Sequence, residues 1–410
     1  MNLLIITSHL PYPLSSGGNQ AQFHFIEYLR DKINISIIFN VNKVNNKDAL
    51  FVLKQRWGNV SFYPYDWKKQ TDRKEVLLSK FYRKLQKKLV QNVFCESDIL
   101  PFEELTDCFL NHVESVIKRK FIDIVQIDFT TYLPLVAILP LDIKKVFVQH
   151  EIQYVRNKLL LSQMERISDK QKLVCSIQKN EEIAMMNKCD CVVTLTEVDK
   201  RKLECDGVKV KVVSSPACVS STDIHVQFIP TDRKLVFVGG SGHYPNYQGL
   251  LWFLSRIWNK ILVKLPDIQL NVIGKWTDNQ VEEILDKYPK IYFKGFVDDL
   301  KDALQSSIMI VPILIGSGMR MKIIEAANYG VPFISTTVGV EGLNFIDGEE
   351  CLIENDESLF ADKIIRLLNN TEQQKIFSQK VREKYEKEYS LKVLGKRRFD
   401  ILKAVADGKN

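Results

Sequence analysis

Two cations at the expected start of a helix are the side chains of this 410-residue chain best suited to chemistry. The segment SIMIVPILIGSGMRMKIIEAANYGVPFISTTVGVEGL sets Gly316, Ser317 and Gly318 between an apolar run and a helical one, with Arg320 and Lys322 directly behind. A backbone with so little side-chain bulk leaves amide N–H groups and the positive end of a helix dipole open to an anion. Cations oppose the dipole at that end, so the pattern breaks a local rule unless a phosphate or diphosphate binds there. A glycine turn with solvated basic residues and an ordinary Lys322/Glu325 pair is the competing reading, and the residues alone weigh the two about evenly.

His150 closes the apolar run VFVQ and stands where open α/β sheets receive ligands. By itself a strand-end histidine is more often a hydrogen-bonded structural group. Asp128, at the end of the preceding strand, is a weaker candidate for contact with an acceptor. Lys275 follows the run Gln269–Ile273 and reaches a phosphate or simply the solvent. Gly17 and Gly18, and later Gly239 and Gly240, lie between a strand and a helix start. The second pair does not continue as G-x-G-x-x-G, and no acidic residue ends the next strand, which weakens an oxidoreductase reading. Asp298 and Asp299 suit a helix N-cap better than a metal. His9 and His24 read as structural.

These residues require parallel strands to carry them. Short apolar runs at Met1–Ser8, Ile33–Asn40, Ile122–Ile127, Lys145–Gln149, Cys191–Thr196 and Lys209–Val213 predict one α/β alternation. A second begins at Leu235–Gly239 and continues through Gln269–Ile273, Ile291–Phe293, Ile308–Leu314 and Val331–Ser335. On a wheel of about 100° per residue, Met319 to Tyr329 groups Met319, Ile323, Ile324, Ala326 and Ala327 on one side, with Arg320 inside that sector. Lys322, Glu325 and Tyr329 fall opposite. Two doubly wound domains follow: residues 1–220, a linker at 221–232, residues 233–385, and a last helix over 386–410 long enough to cross back to the first domain.

Composition fits this. Hydrophobic content of 45% and charged content of 26% are those of a soluble globular protein. The start, MNLLIITSHLPYP, reads as a first strand rather than a signal peptide, and no apolar run nears the roughly 20 residues of a membrane span. A cytoplasmic location is therefore expected. The eight scattered cysteines predict reduced, mostly buried thiols. The net charge of +7 is unevenly spread: residues 67–89 carry nine Lys/Arg against Asp72 and Glu75, interleaved with apolar residues. That stretch suits either an anionic membrane surface, which would make the protein peripheral on the inner face of the membrane, or a solvated helix face. No nucleic-acid-binding module accompanies it.

At Glu325, Ala326, Ala327, Gly330 and Pro332 the chain resembles the family 4 retaining glycosyltransferases, of the two-domain GT-B architecture; Gly339–Leu343 and the VGG…H-x-P-N-x-x-G-x-x-W-F pattern from Val238 extend the resemblance. It covers nearly the whole chain, is strongest from Leu235 to Leu343 and is loose from Asn42 to Val116. Ser317 stands where the family has a first glutamate, so any role of that carboxylate does not carry over. The resemblance implies two Rossmann-like domains facing a cleft. Within it Gly318, Met319 and Arg320 line the diphosphate site, Glu325 accepts from ribose hydroxyls, and Phe296 and Val297 hold the base. Gly17 and Gly18 face the donor phosphates, Gly240, His243 and Asn246 lie at the cleft, and His150 orients the transferred sugar. His243 has helix capping as its other reading. Implied too are a nucleotide-sugar donor, a glycan or lipid-linked acceptor, and neither cofactor nor metal. A nucleotide-sugar 2-epimerase and a degenerate membrane-surface scaffold are the alternatives.

Overall fold

The computed structural model describes residues 1–14, 16–43, 46–66, 102, 105–162, 164, 166–219, 228–231, 233–297, 300–316 and 318–408. The basic stretch at 67–89, the Asp298-Asp299 pair, Ser317 and most of the expected linker lie outside these residues. The chain divides into two compact units, Met1–Pro216 with Gly395–Asn410, and Ala217–Leu394.

The first unit holds seven strands: β1 (Asn2–Thr7), β2 (Asn34–Asn40), β3 (Ser61–Tyr65), β4 (Ile124–Asp128), β5 (Lys144–Gln149), β6 (Cys191–Thr194) and β7 (Lys211–Ser214). They form one sheet in the order β3-β2-β1-β4-β5-β6-β7, every pair parallel. Alternation along β1 explains why both faces are covered. Leu4 and Ile6 join one apolar cluster with Val125, Ile127 and Phe147, while Leu3 and Ile5 join another with Ile37, Val146 and Val193.

β3 was not anticipated from the sequence. It is an edge strand of five residues that contains Pro64, and a proline is tolerated there because, among the described residues, one side of the ladder is unpaired. Unforeseen too were the helices Asp107–Lys120, Gln153–Ser162 and Asp169–Met186. The connection after β4 is a 3₁₀ helix, Thr130–Ala137.

The second unit repeats the order with six strands: β8 (Lys234–Val238), β9 (Gln269–Ile273), β10 (Ile291–Gly295), β11 (Ile308–Val311), β12 (Phe333–Ser335) and β13 (Leu352–Ile353). Their sequence in the sheet is β10-β9-β8-β11-β12-β13, again all parallel. Connections leave in opposite directions from neighbouring strands at β1/β4 and at β8/β11, and ligands of such sheets bind beyond the carboxyl ends at these points. Its core joins Phe237, Val272 and Ile310 to Phe253, Trp258 and Phe360 from the flanking helices.

The tail is three helices, Glu357–Leu368, Thr371–Lys384 and Leu391–Ala406, the last two separated by a π-helical turn at Tyr385–Tyr389. In the last helix Phe399, Leu402 and Val405 pack with Phe25, Ile26 and Leu29 of the first unit. Arg398 fixes its register, its Nε donating to Ser215 Oγ and Nη2 to the Ser215 carbonyl, both at 3.0 Å. Gly395 lets that helix lie against Tyr28, whose Cδ1 would be 2.6 Å from an added Cβ. Gly395→Ala is therefore expected to cost about 1–3 kcal/mol by overpacking. A urea midpoint equal to that of the wild type would contradict this contact.

Candidate functional site

In the second unit the glycine loops follow β8 and β11, the neighbouring strands from which the connections leave in opposite directions. Gly316 has φ 127° and Gly318 φ 77°, the left-handed region that glycine adopts freely. An added Cβ on Gly316 would lie 3.0 Å from Arg320 Nη2, so the guanidinium is folded over this glycine. Arg320 Nη1 donates to the Gly318 carbonyl at 2.9 Å, and the side chain is buried.

The helix behind this loop runs Met321–Asn328, two residues later than the wheel predicts, because Arg320 occupies the N-cap with φ −85° and ψ 85°. Lys322 does not lie on a solvated face. It is partly buried, its Nζ donating to Asn246 Oδ1 at 2.8 Å and lying 4.9 Å from the centre of the Phe237 ring. Burial, and after it the charge of Arg320, bring its ammonium down to about 7, while Glu325 pulls the other way. Two cations are thus held together at a helix start, where burial and Arg320 disfavour the charge of Lys322.

Asn246 passes this arrangement on to the other loop, its Nδ2 donating to the Gly240 carbonyl at 3.3 Å. Gly240 is needed because a Cβ there would come within 2.8 Å of the Lys275 carbonyl oxygen. His243 occupies the N-cap position of the helix Tyr244–Phe253 but makes no side-chain capping bond, so the capping reading does not hold. Lys275 is exposed, with Nζ 5.6 Å from the centre of the exposed Phe296 ring. Val297 follows Phe296, Met319 is partly buried, its Sδ accepting from the Ala217 N–H at 3.2 Å, and Glu325 is partly buried on the second turn of the helix.

In the first unit, Gly17 and Gly18 are the first residues of the helix Gly17–Leu29 rather than a loop before it, since Ser16 caps it by accepting from the Asn19 N–H at 3.2 Å. Asp128 is 2% exposed. Its Oδ1 lies 3.1 Å from His150 Nε2, and its Oδ2 accepts from Gln22 Nε2 at 2.9 Å and Gln126 Nε2 at 3.0 Å. Burial opposes ionisation of this carboxyl, but bonding with His150, Gln22 and Gln126 prevails and keeps it below the usual carboxylate range. His9, expected to be structural, belongs to the same group: the Phe129 ring contacts both its ring, at 4.7 Å, and that of His150, at 4.1 Å. Neither Gln22, Gln126 nor Phe129 carries a signal in the sequence.

Glu182, also unforeseen, braces the segment that carries His150. It is 1% exposed and accepts from Gln149 Nε2 at 2.6 Å and from the Tyr154 N–H at 3.3 Å, closing the start of the helix Gln153–Ser162. Burial pushes its carboxyl up to about 7, against hydrogen bonds from Gln149, Tyr154 and Gln153. The native state then binds more protons than the unfolded chain between about 4.5 and 7, and this group lowers stability as pH rises through that window. The stability of the wild type relative to Glu182→Gln should therefore fall by the order of 2–3 kcal/mol from pH 4.5 to 7 and level off above it. Urea midpoints of the two proteins that stay in a constant ratio across that range would refute the assignment.

Among the described residues no group of three or more His, Cys, Asp or Glu is placed to hold a metal ion, and no helix is long and apolar enough to cross a membrane.

Residues 232–370 match the family described as Glycosyl transferases group 1. A Klebsiella pneumoniae protein described as an uncharacterized 44.6 kDa protein in cps region is 32% identical over 146 residues, 33% of this chain and 37% of that protein. The match thus spans little more than a third of that relative. Among solved structures, sucrose-phosphate synthase of Thermosynechococcus elongatus has a TM-score of 0.71 at 14% identity over 99% of both chains. TarM of S. aureus, in a complex with fondaparinux, alpha-GlcNAc-glycerol and UDP, has 0.66 at 13% identity over 97% of this chain and 99% of its own. HepE of Anabaena, in complex with UDP-glucose, has 0.64 at 10% identity over 98% and 100%. At such identities the likeness is one of fold.

Proposed function

We propose that this chain, whose residues 232–370 match the glycosyl transferases group 1 and which has the GT-B fold, is a member of that family that moves a sugar from a nucleotide-sugar donor to a glycan or lipid-linked acceptor with retention at the anomeric carbon. The observation that carries this reading is the pair Arg320 and Lys322, gathered by Gly316, Gly318 and Asn246 at the start of the helix Met321–Asn328. When the bond from the anomeric carbon to the diphosphate oxygen breaks, negative charge grows on the leaving diphosphate. Fixed cations and helix-start N–H groups placed in advance stabilise that charge more than they stabilise the bound donor.

Arg320 and Lys322 are assigned to the diphosphate, together with Gly318 and Met319. Glu325 accepts from the ribose hydroxyls, Phe296 and Val297 flank the base, and His150 hydrogen-bonds the transferred sugar. UDP in the TarM and HepE structures makes UDP-linked hexoses the first donors to test. The cps region in the description of the Klebsiella relative supports a role in cell-surface polysaccharide synthesis.

The test is incubation of the full chain with a panel of nucleotide-sugars, with and without membrane lipid extract. Sugar incorporated into lipid or glycan with release of nucleoside diphosphate is expected. An isomerised donor without transfer would replace this reading with epimerisation, and no product from any donor would end it.

A further inference from the structure

Asp128 and Phe129 follow one another at the end of β4, and both act on one imidazole. Asp128 receives Gln22 and Gln126 on Oδ2 and faces His150 Nε2 with Oδ1 at 3.1 Å. A carboxylate only accepts hydrogen bonds, so the proton of a neutral His150 ring sits on Nε2 and the lone pair on Nδ1. Nδ1 is buried and, among the described residues, meets no donor.

Phe129 adopts φ 67° and ψ 155°, a region almost reserved for glycine. Such a conformation persists only where its surroundings over-determine it, and it clusters at functional sites. Here it lays the ring against His150 with the planes 17° apart. His9 packs against the ring with the planes 38° apart, and an added Cβ on Gly18 would lie 3.1 Å from Phe129 Cε1, so the helix start bearing Gly17 and Gly18 closes on it as well. An aromatic side chain at a glycine position is hard to explain by packing alone, since other rotamers and residues fill space without that backbone.

We propose that Asp128 and Phe129 are positioning residues for His150: the carboxylate selects the imidazole tautomer and the ring fixes its plane, so that Nδ1 accepts a hydrogen bond from a hydroxyl of the transferred sugar. This rests on the glycosyltransferase reading and adds to it the state of the histidine.

The test uses the full chain and three variants. Phe129→Gly removes the ring while suiting the backbone, so it is expected to fold; Phe129→Tyr keeps the ring; Asp128→Asn replaces the acceptor-only group. With a donor that the wild type uses, Phe129→Gly and Asp128→Asn should lower kcat about 10–100-fold, the range seen when partners orienting a functional histidine are lost, with donor KM changed less than about threefold. Phe129→Tyr should recover to within about threefold. Nitrogen-15 shifts of His150 supply a readout independent of turnover: a proton on Nε2 in the wild type, and loss of that preference in Asp128→Asn. Wild-type kcat in Phe129→Gly and Asp128→Asn, or a His150 proton on Nδ1 in the wild type, would overturn the proposal. A wild type that transfers no sugar fails the activity reading instead, and the nitrogen shifts still decide the tautomer.

Discussion

Lys322→Met is expected to lower kcat by roughly 10²–10³-fold, the loss typical when one fixed donor to a developing anion is removed. Methionine keeps the apolar stem beside Phe237, so the change is chiefly one of charge and of the hydrogen bond to Asn246. The wild-type ammonium, brought to about 7 by burial and then by Arg320, is only partly protonated near neutrality. A diphosphate favours the charged form, so binding should take up a proton, and nucleoside diphosphate affinity should weaken as pH rises above about 7. Calorimetry in buffers of different ionisation enthalpy measures that uptake. Arg320→Ala should in turn cost about 1.5–3 kcal/mol of nucleoside diphosphate affinity, the value of one charged hydrogen bond. Affinity that is flat from about pH 6 to 9 and unaltered by either substitution would remove both cations from the site.

The second large effect concerns stability. Trp258 is fully buried in the second unit, beside Phe253 at 6.1 Å between ring centres, with Nε1 donating to the Pro289 carbonyl at 3.0 Å. It lies in the π-helical turn Leu254–Trp258 that joins the helices Tyr244–Phe253 and Asn259–Lys264. Trp258→Ala should cost about 3–5 kcal/mol through the cavity it leaves. Trp258→Phe retains most of the volume but strands the Pro289 carbonyl, at about 1–3 kcal/mol. Denaturation followed by a probe confined to the second unit separates the two variants, and an equal effect for both would mean that the hydrogen bond outweighs the packing.

What could be read from the residues depended on how far apart the interacting groups are in the chain. Runs such as LLIIT in β1 and IMIV in β11 are buried on both faces, so unbroken apolarity marks them, and the strand ends then locate His150 and the glycines. β3 escaped because Pro64 and its two tyrosines resemble a loop until a neighbour supplies the ladder. The helix Asp169–Met186 escaped because much of its length is polar and it is held by a capping box at Ser168 and by the buried Glu182 rather than by a clear apolar stripe. Contacts at the site are more remote still. Gln22 meets Asp128 across 106 positions and Lys322 meets Asn246 across 76, and no local pattern announces such pairs. The strain at Phe129 is likewise invisible in a sequence, since a phenylalanine after an apolar strand looks ordinary there.

The return of Gly395–Asn410 to the first unit makes the order of synthesis matter. The ribosome must finish all of Ala217–Leu394 before the helix carrying Leu402 and Val405 can seal the surface formed by Phe25, Ile26 and Leu29. At about 5–20 residues per second that interval is on the order of ten to forty seconds. Throughout it the nascent amino-terminal half exposes an unsealed oily stripe, a natural place for a holding chaperone.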